Sequence, residues 1–492
     1  MVEDVQTNNQ TNFAMTECKQ EIFEFQGQFG RKITADFSGG YLSSDGGAVF
    51  VRGMDQKLGL IGRLAECFED GRFQPLVEHS VQELLRQRIG ALALGYEDLN
   101  DHDRLRLDPM HALMAGKQDI EGGDRMCEED KGKALAGHST LNRLELGALG
   151  GDGRYKKILA RSEQIEALLI EEGVKAIPRR SREIVLDFDA TDDPLHGAQE
   201  GAYFHGYYRH YCYLPLYGFC GTIPLYAKLR DCKRDASEGT IEALEKIVPA
   251  IRKRFGKKVR IIVRADSGFA REEIMAWCEE HGLSYCFGLA RNERLAKHLS
   301  ESFEALHREI GAGEKQAPCR QFADFEYRTL KSWSRARRVI GKAEVLDKGD
   351  NPRFVVTNLP VAGFAGNAPG RFEAAALYEG FYCARGEMEN RIKEAQLDLF
   401  ADRTSTHGMA SNQLRLWFSA FAHLLLSRLR AEVLRGTELA DATLGTIRLK
   451  LFKIGARIKV SCRRIHLELA GGYPYRELFA KAHSQLCAIP GG

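Results

Sequence analysis

The chain has 492 residues, 44% of them hydrophobic, and its 70 Lys and Arg against 68 Asp and Glu give a formal charge of +2. That length allows a large buried core and about three domains, and the charge balance excludes a chain that is basic throughout, so any nucleic-acid surface must be a local patch. The twelve cysteines contain no Cys-x-x-Cys pair and are expected to be reduced core thiols. The polar, acidic start argues against a secretory signal and no apolar run reaches membrane-span length, so the cytosol is the expected location.

Residues 1–30 carry little hydrophobic pattern and are expected to form a flexible arm. Residues 31–178 read as mainly helical. Ser80 caps a helix from Val81 to Leu94, with Glu83 as its reciprocal partner and Gly95 as its stop. The acidic run Glu97-Asp-Leu-Asn-Asp101-His102-Asp103 resembles a metal site in composition, but consecutive acids on a loop lack convergent geometry, so they are expected to serve as caps and turns. Gly137 to Glu145 predicts a short capped helix with polar side chains at its start, either a recognition helix or a packing element.

Two strands then end in acids. Ile184-Val-Leu-Asp187-Phe-Asp189-Ala-Thr191 is the first, and Ile261-Ile-Val-Arg264-Ala-Asp266-Ser-Gly268 is the second. Paired carboxylates at strand tips are a standard means of holding divalent metals against phosphate. Asp187 rivals Asp189, from which it lies about 7 Å deeper on the same strand face. Asp189 and Asp266 are 77 positions apart (266 − 189), whereas Asp266 and Glu389 are 123 apart (389 − 266), too many for one connection. Within that gap Phe322 to Val356 alternates and is rich in β-formers, which predicts an inserted β-rich subdomain. Its cations Arg328, Lys331, Arg335, Arg337, Arg338 and Lys342 surround Trp333, as DNA backbone contact and stacking require; the competing reading is a solvated strand face.

From Arg371 to Leu399 the composition predicts one long helix. At 100° per residue Tyr382, Arg385, Glu389, Lys393 and Gln396 fall within about 80°, beside an apolar stripe through Leu377, Phe381, Met388 and Ile392. One stripe can pack on a sheet while the other presents Glu389 to the two aspartates, with Arg385 as a phosphate fork. The apolar run Leu414 to Leu426 predicts a core-covering helix in which His423 is a satisfied core residue. Thr446 to Leu469 predicts a hairpin with one basic face.

Asp189-Ala-Thr191, Arg264-Ala-Asp266-Ser-Gly268 and Tyr382-x2-Arg385-x3-Glu389 together resemble, in order, the motifs of DDE transposases of bacterial insertion sequences, those with a Tyr-Arg-Glu-Lys helix. Asp192-Asp-Pro-Leu-His196-Gly and Gly386-Glu-Met-Glu-Asn390-Arg-Ile-Lys are similar to the subgroup named for insertion sequence thirteen-eighty. Where that pattern closes on Lys this chain has Gln396, so Lys393 is a candidate replacement. The resemblance, over about residues 30–470, implies an α/β fold with a ribonuclease-H-like catalytic core, interrupted by a β-rich insertion and preceded by a mainly helical DNA-binding region. The divisions expected are an arm (1–30), a DNA-binding region (31–178), the core (179–298 and 371–435), the insertion (299–370), and a C-terminal basic hairpin and tail (436–492). It implies that Asp189, Asp266 and Glu389 are catalytic and bind Mg²⁺, for which Mn²⁺ substitutes. Tyr382, Arg385, Asn390, Lys393 and Gln396 are then expected at DNA.

The implied partners are double-stranded DNA, as terminal inverted repeats and target, and a second copy in the DNA complex. The implied setting is the bacterial cytoplasm at the nucleoid. Two alternatives remain. Asp187-Phe-Asp189-Ala-Thr191 also fits a haloacid-dehalogenase-like phosphatase with Asp187 as nucleophile, although the run Gly-Gly-Asp-Gly at 150–153 precedes the strand instead of following it. The other is a catalytically inactive, transposase-derived DNA-binding protein.

Overall fold

The computed structural model describes residues 22–149, 157–364 and 368–491. A nine-stranded mixed sheet organises it. In chain order its main strands are β1 (Glu183–Ala190), β2 (Leu216–Cys220), β3 (Ile223–Lys228), β4 (Arg260–Ala265), β5 (Ser284–Leu289), β6 (Cys319–Tyr327), β7 (Arg337–Leu346) and β8 (Arg353–Thr357). Across the sheet the order is β3-β2-β1-β4-β5-β8-β7-β6, and a short ninth strand at Gly349–Asp350 pairs with β7. Strands β3, β2 and β1 are antiparallel, β4 and β5 run parallel to β1, and β8, β7 and β6 continue antiparallel.

The period-2 alternation of β1 decides which layer each side chain meets. Ile184, Leu186 and Phe188 share a core with Ile170 and Val174 of helix α1 (Ser162–Ala176) and with Leu244, Ile247 and Ile251 of helix α2 (Thr240–Phe255). The opposite face carries Asp187 and Asp189 on β1 and Arg264 on β4. It is covered by the helical stretch at residues 374–398, whose Leu377, Tyr378 and Phe381 pack with Ile262, Cys286 and Val355.

That stretch is not the single α-helix expected. It winds as a π-helix over Ala376–Tyr382, a tight turn over Cys383–Arg385, an α-helix (α3) over Gly386–Lys393, and a π-helix over Glu394–Asp398. Propensity cannot distinguish these windings, because they differ only in which carbonyl each N–H reaches. The next helix, α4 (Met409–Val433), is buried along most of its length and shares one hydrophobic core with the N-terminal helices, including Leu84, Leu85 and Ile89. His423 on α4 is buried in the core as expected, with Nε2 3.7 Å from Glu394, and burial, outweighing that carboxylate, lowers its proton affinity.

The capping box on Val81–Leu94 forms as expected: Glu83 N–H donates to Ser80 Oγ, Ser80 N–H donates to Glu83 Oε2, and Gly95 ends the helix at φ 93°. The acidic run also does capping work, with Asp98 and Asp101 forming a second box. The helix His138–Glu145 has Gly137 at its N-cap, so no cap comes from its own first residues. Asp103 takes the His138 N–H instead, from a position remote in sequence.

The β-rich stretch extends the central sheet through β8, β7 and β6. Trp333 is 4% exposed and packs edge-on against Tyr327, so it is core and no stacking platform. Most of the expected basic patch is paired internally: Arg337 with Glu272 and Glu279, Arg335 with Glu279, Arg338 with Asp324, and Lys342 with Glu344.

The expected C-terminal hairpin begins later than Thr446. Leu444–Phe452 is helical, burying Ile447 and Leu451 at i, i+4 and leaving Leu449 70% exposed, so the helical period overrides the apparent alternation. Ala456–Ser461 and Arg464–Leu469 do pair, and Tyr41–Ser43 joins them. Residues 1–21 of the expected arm lie outside the described residues, while Phe23–Gln28 is a strand paired with Arg31–Ala35. Cys67, Cys212, Cys232, Cys278 and Cys286 are buried as expected; Cys127, Cys383, Cys462 and Cys487 are exposed. Among the described residues no helix is long and apolar enough to cross a membrane.

Candidate active site

β1 and β4 are parallel neighbours with Arg264 beside Asp187 and Ala265 beside Phe188, so the next positions, Asp266 and Asp189, meet at the strand tips. The inner pair is closed. Arg264 donates to both Asp187 oxygens, at 2.6 and 2.8 Å, and gives a further N–H to the Phe381 carbonyl in the π-helical segment. Both side chains are buried, so this pair ties β1, β4 and the covering helix into one unit. Asp187 therefore has no free oxygen to act as a phosphoryl-accepting nucleophile, and the Gly-Gly-Asp-Gly run at 150–153 lies outside the described residues.

The outer pair is open. Asp189 accepts the Ala190 N–H at 2.9 Å, and Asp266 accepts the Gly268 N–H at 2.8 Å, capping the turn Ser267–Phe269. Arg385 reaches across from the covering helix, its Nη1 3.2 Å from Asp189 and its Nη2 3.1 Å from Glu389, which is half exposed on α3. One guanidinium thus serves Asp189 and Glu389 with Asp266 close by. Burial pushes the Asp189 carboxyl up to about 7; Arg385 opposes that rise, and the charges of Asp266 and Glu389 add to it.

Tyr382 completes the wall. A Cβ at Gly288 on β5 would lie 2.5 Å from the Tyr382 hydroxyl and 2.8 Å from the Ser267 nitrogen, so only glycine allows this approach. Burial raises the Tyr382 phenol to about 12, so it stays a neutral donor well into the alkaline range. Beside it opens a cleft of 660 Å³ lined by Ser267, Arg291, Lys342, Arg353, Tyr378 and Tyr382. Asn390 and Lys393 are exposed on α3. Gln396, expected at DNA, turns inward: its amide donates to the Asp192 carbonyl at 3.1 Å and to Asp193 Oδ1 at 3.0 Å.

Sequence reasoning missed the Asp187–Arg264 pair, although its signal was present. An arginine inside an apolar strand needs a partner, and its 77-residue separation from Asp187 equals that between Asp189 and Asp266. Arg291 and Arg353 carried no such signal. Also unforeseen was a second group of potential ligands, Asp45, Asp108 and His111, whose donor atoms lie within 4.8 Å of one another. This group does not fit a metal. Asp45 is bonded by Lys453 and by Tyr96, each at 2.6 Å, and by His111 Nε2 at 2.9 Å, so an ammonium already stands where a cation would.

No curated protein matches the chain. Among solved structures it is similar to the piggyBac transposase in a synaptic complex with hairpin DNA, at 9% identity and a TM-score of 0.36, over 82% of this chain and 80% of that one; so distant a likeness has no bearing on strand layout. The family described as Transposase DDE domain group 1 matches over residues 25–490, a span that includes both strand-end aspartates and Glu389. The chain belongs to that transposase family.

Proposed function

We propose that the chain cuts DNA strands at the ends of a bacterial insertion sequence and transfers them to a target, using Asp189, Asp266 and Glu389. The observation that carries this reading is the open outer pair: Asp189 and Asp266 on adjacent strand tips, with Glu389 drawn to the same place through Arg385. The order β3-β2-β1-β4-β5, with three antiparallel strands followed by two parallel ones, supports a ribonuclease-H-like core. The phrases around Asp192 and Asn390 support the subgroup named for insertion sequence thirteen-eighty.

The donor set fits a hard divalent cation. All three candidates are carboxylates, and the proton affinity of Asp189 is raised first by burial and then by the charges of Asp266 and Glu389, which a bound cation would offset. Bound Mg²⁺, or Mn²⁺ in its place, supplies Lewis acidity to the attacking and leaving oxygens. The chain's own residues do the rest. Arg385 offers its fork to the non-bridging oxygens of the scissile phosphate, and Tyr382 donates a hydrogen bond beside it. Asn390 and Lys393 extend that contact along the backbone. Gln396 holds the loop after β1, which leaves the phosphate role to Lys393. Asp189 must lose its proton to hold the cation, so protonation competes with metal binding, which weakens as pH falls below about 7. Terminal inverted repeats and a target duplex are the DNA partners, two copies act on paired ends, and the nucleoid is where they meet.

The test is strand breakage mapped to the nucleotide on a fragment containing the gene and its flanks, with Mg²⁺ or Mn²⁺. Cleavage at matching positions on both flanks that disappears with Asp189→Asn supports the proposal. An absence of cleavage with either metal, or phosphate release from small esters that depends on Asp187, overturns it.

A further inference from the structure

Between β1 and β2 the chain leaves the central sheet and forms a small sheet of its own, in which His210–Tyr213 pairs with Asp193–Pro194 on one side and with Tyr203–His205 on the other. The stretch from Tyr203 to Tyr213 reads Tyr-Phe-His-Gly-Tyr-Tyr-Arg-His-Tyr-Cys-Tyr, six phenyl or phenol rings with one arginine, two histidines and no acid. Register decides which rings face out. Phe204 lies opposite Tyr211 on one face, their rings edge-on at 5.7 Å, and both are more than half exposed, while Tyr207 in the turn is 83% exposed.

The other face meets the acids that follow β1. His205 lies opposite His210 there, and His210 Nε2 is 2.8 Å from Asp192, three residues after Asp189. Tyr208 is in ring contact with both histidines, at 4.8 and 6.1 Å, and burial, followed by the charges of Asp192 and Asp189, pushes its phenol up to about 12. The exposed rings are thus carried on the hairpin whose inner side adjoins the outer carboxylates. Two cations accompany them: Arg209, exposed in the turn, and Lys233, whose ammonium stands 3.5 Å over the Tyr203 ring.

We infer that this hairpin is a stacking platform for unpaired DNA bases, an inference that rests on the proposed strand cleavage for the identity of its ligand. Three features choose that ligand. Each exposed apolar side chain between Tyr203 and Tyr211 is aromatic, and a flat ring offers its face to a base, whereas a protein surface is served as well by aliphatic chains. The charged side chain between them is cationic, as is Lys233 beside them, which suits the phosphates that join stacked bases. In a duplex each base face is covered by its neighbours, so rings standing in solvent can stack only on nucleotides that have left the helix, as they do where a strand end parts from its complement.

The test is fluorescence anisotropy of the full chain with a labelled oligothymidylate of about 20 nucleotides and, separately, with a duplex of the same length, both without metal. Neither readout needs turnover, so strand breakage can fail while stacking holds, and the reverse. Wild type is expected to bind the single strand, and Tyr207→Ser and Phe204→Ser each to weaken that binding about tenfold or more, as loss of one base–ring stack does, with duplex affinity unchanged. Tyr207→Trp should keep the wild-type affinity, and its added indole emission should be quenched as the oligothymidylate binds. A wild type that ignores the single strand, serine variants that bind it normally, an equal loss on the duplex, or a Tyr207→Trp variant as weak as Tyr207→Ser would overturn the inference.

Discussion

Asp187 and Arg264 are cross-strand partners on β1 and β4, and Asp189 and Asp266 lie two residues further along the same two segments, at the strand tips. The inner pair matches an acid with a base and closes the space with a bidentate contact. The outer pair sets acid beside acid and leaves one shared arginine to offset them, so burial drives Asp189 up to about 7. Burial raises both Asp187 and Asp189, but Asp187 has a dedicated bidentate partner in Arg264, whereas Asp189 shares its one arginine with Glu389. The contrast supports, without reference to motifs, the proposal that the outer carboxylates are the functional ones.

The largest effect expected on this contrast is catalytic. Asp189→Asn should lower strand cleavage by at least about 1,000-fold, the several kcal/mol that metal-assisted charge stabilisation contributes, and thermal unfolding should occur at the same temperature or higher, because an uncompensated charge has gone. The inner pair should behave in the opposite way. Arg264→Met strands a buried carboxylate and should cost about 3–5 kcal/mol in urea unfolding, and pairing it with Asp187→Leu should recover most of that loss.

A smaller effect separates Asp189 by pH. Its folded value of about 7 stands above the usual 3.8, so between those values the folded chain holds a proton that the unfolded chain has lost. Stability without metal should therefore fall as pH rises through that window and level off above it, whereas Mn²⁺ affinity should rise through about pH 7. Asp189→Asn should flatten the stability profile. The smallest expected change is at the wall: Gly288→Ala should cost about 1–3 kcal/mol through overpacking and lower cleavage by displacing Tyr382, an effect that kinetics at saturating DNA would report.

Much of this comparison was legible in the chain. The strand-end acids, the order of the three motifs and the cap at Ser80 were visible, because each depends on short spacing and side-chain type. The windings at residues 376–398 were not, since π and α turns share composition, and neither was the inward turn of Gln396, which depends on a loop 204 positions away. Trp333 misled because a cation-rich surrounding reads as a DNA surface until the acids on neighbouring elements are placed beside it. Partners brought in from distant elements were the hidden quantity for Gln396 and Trp333.

The most direct measurement is anomalous diffraction from crystals of the protein soaked in Mn²⁺. The expected result is anomalous density among Asp189, Asp266 and Glu389, with Arg385 moved off the carboxylates and none at Asp187 or at the Asp45, Asp108 and His111 group. Density confined to that group, or acids left unchanged with Arg385 still bridging them at saturating Mn²⁺, would contradict the assignment of the outer pair as the functional one.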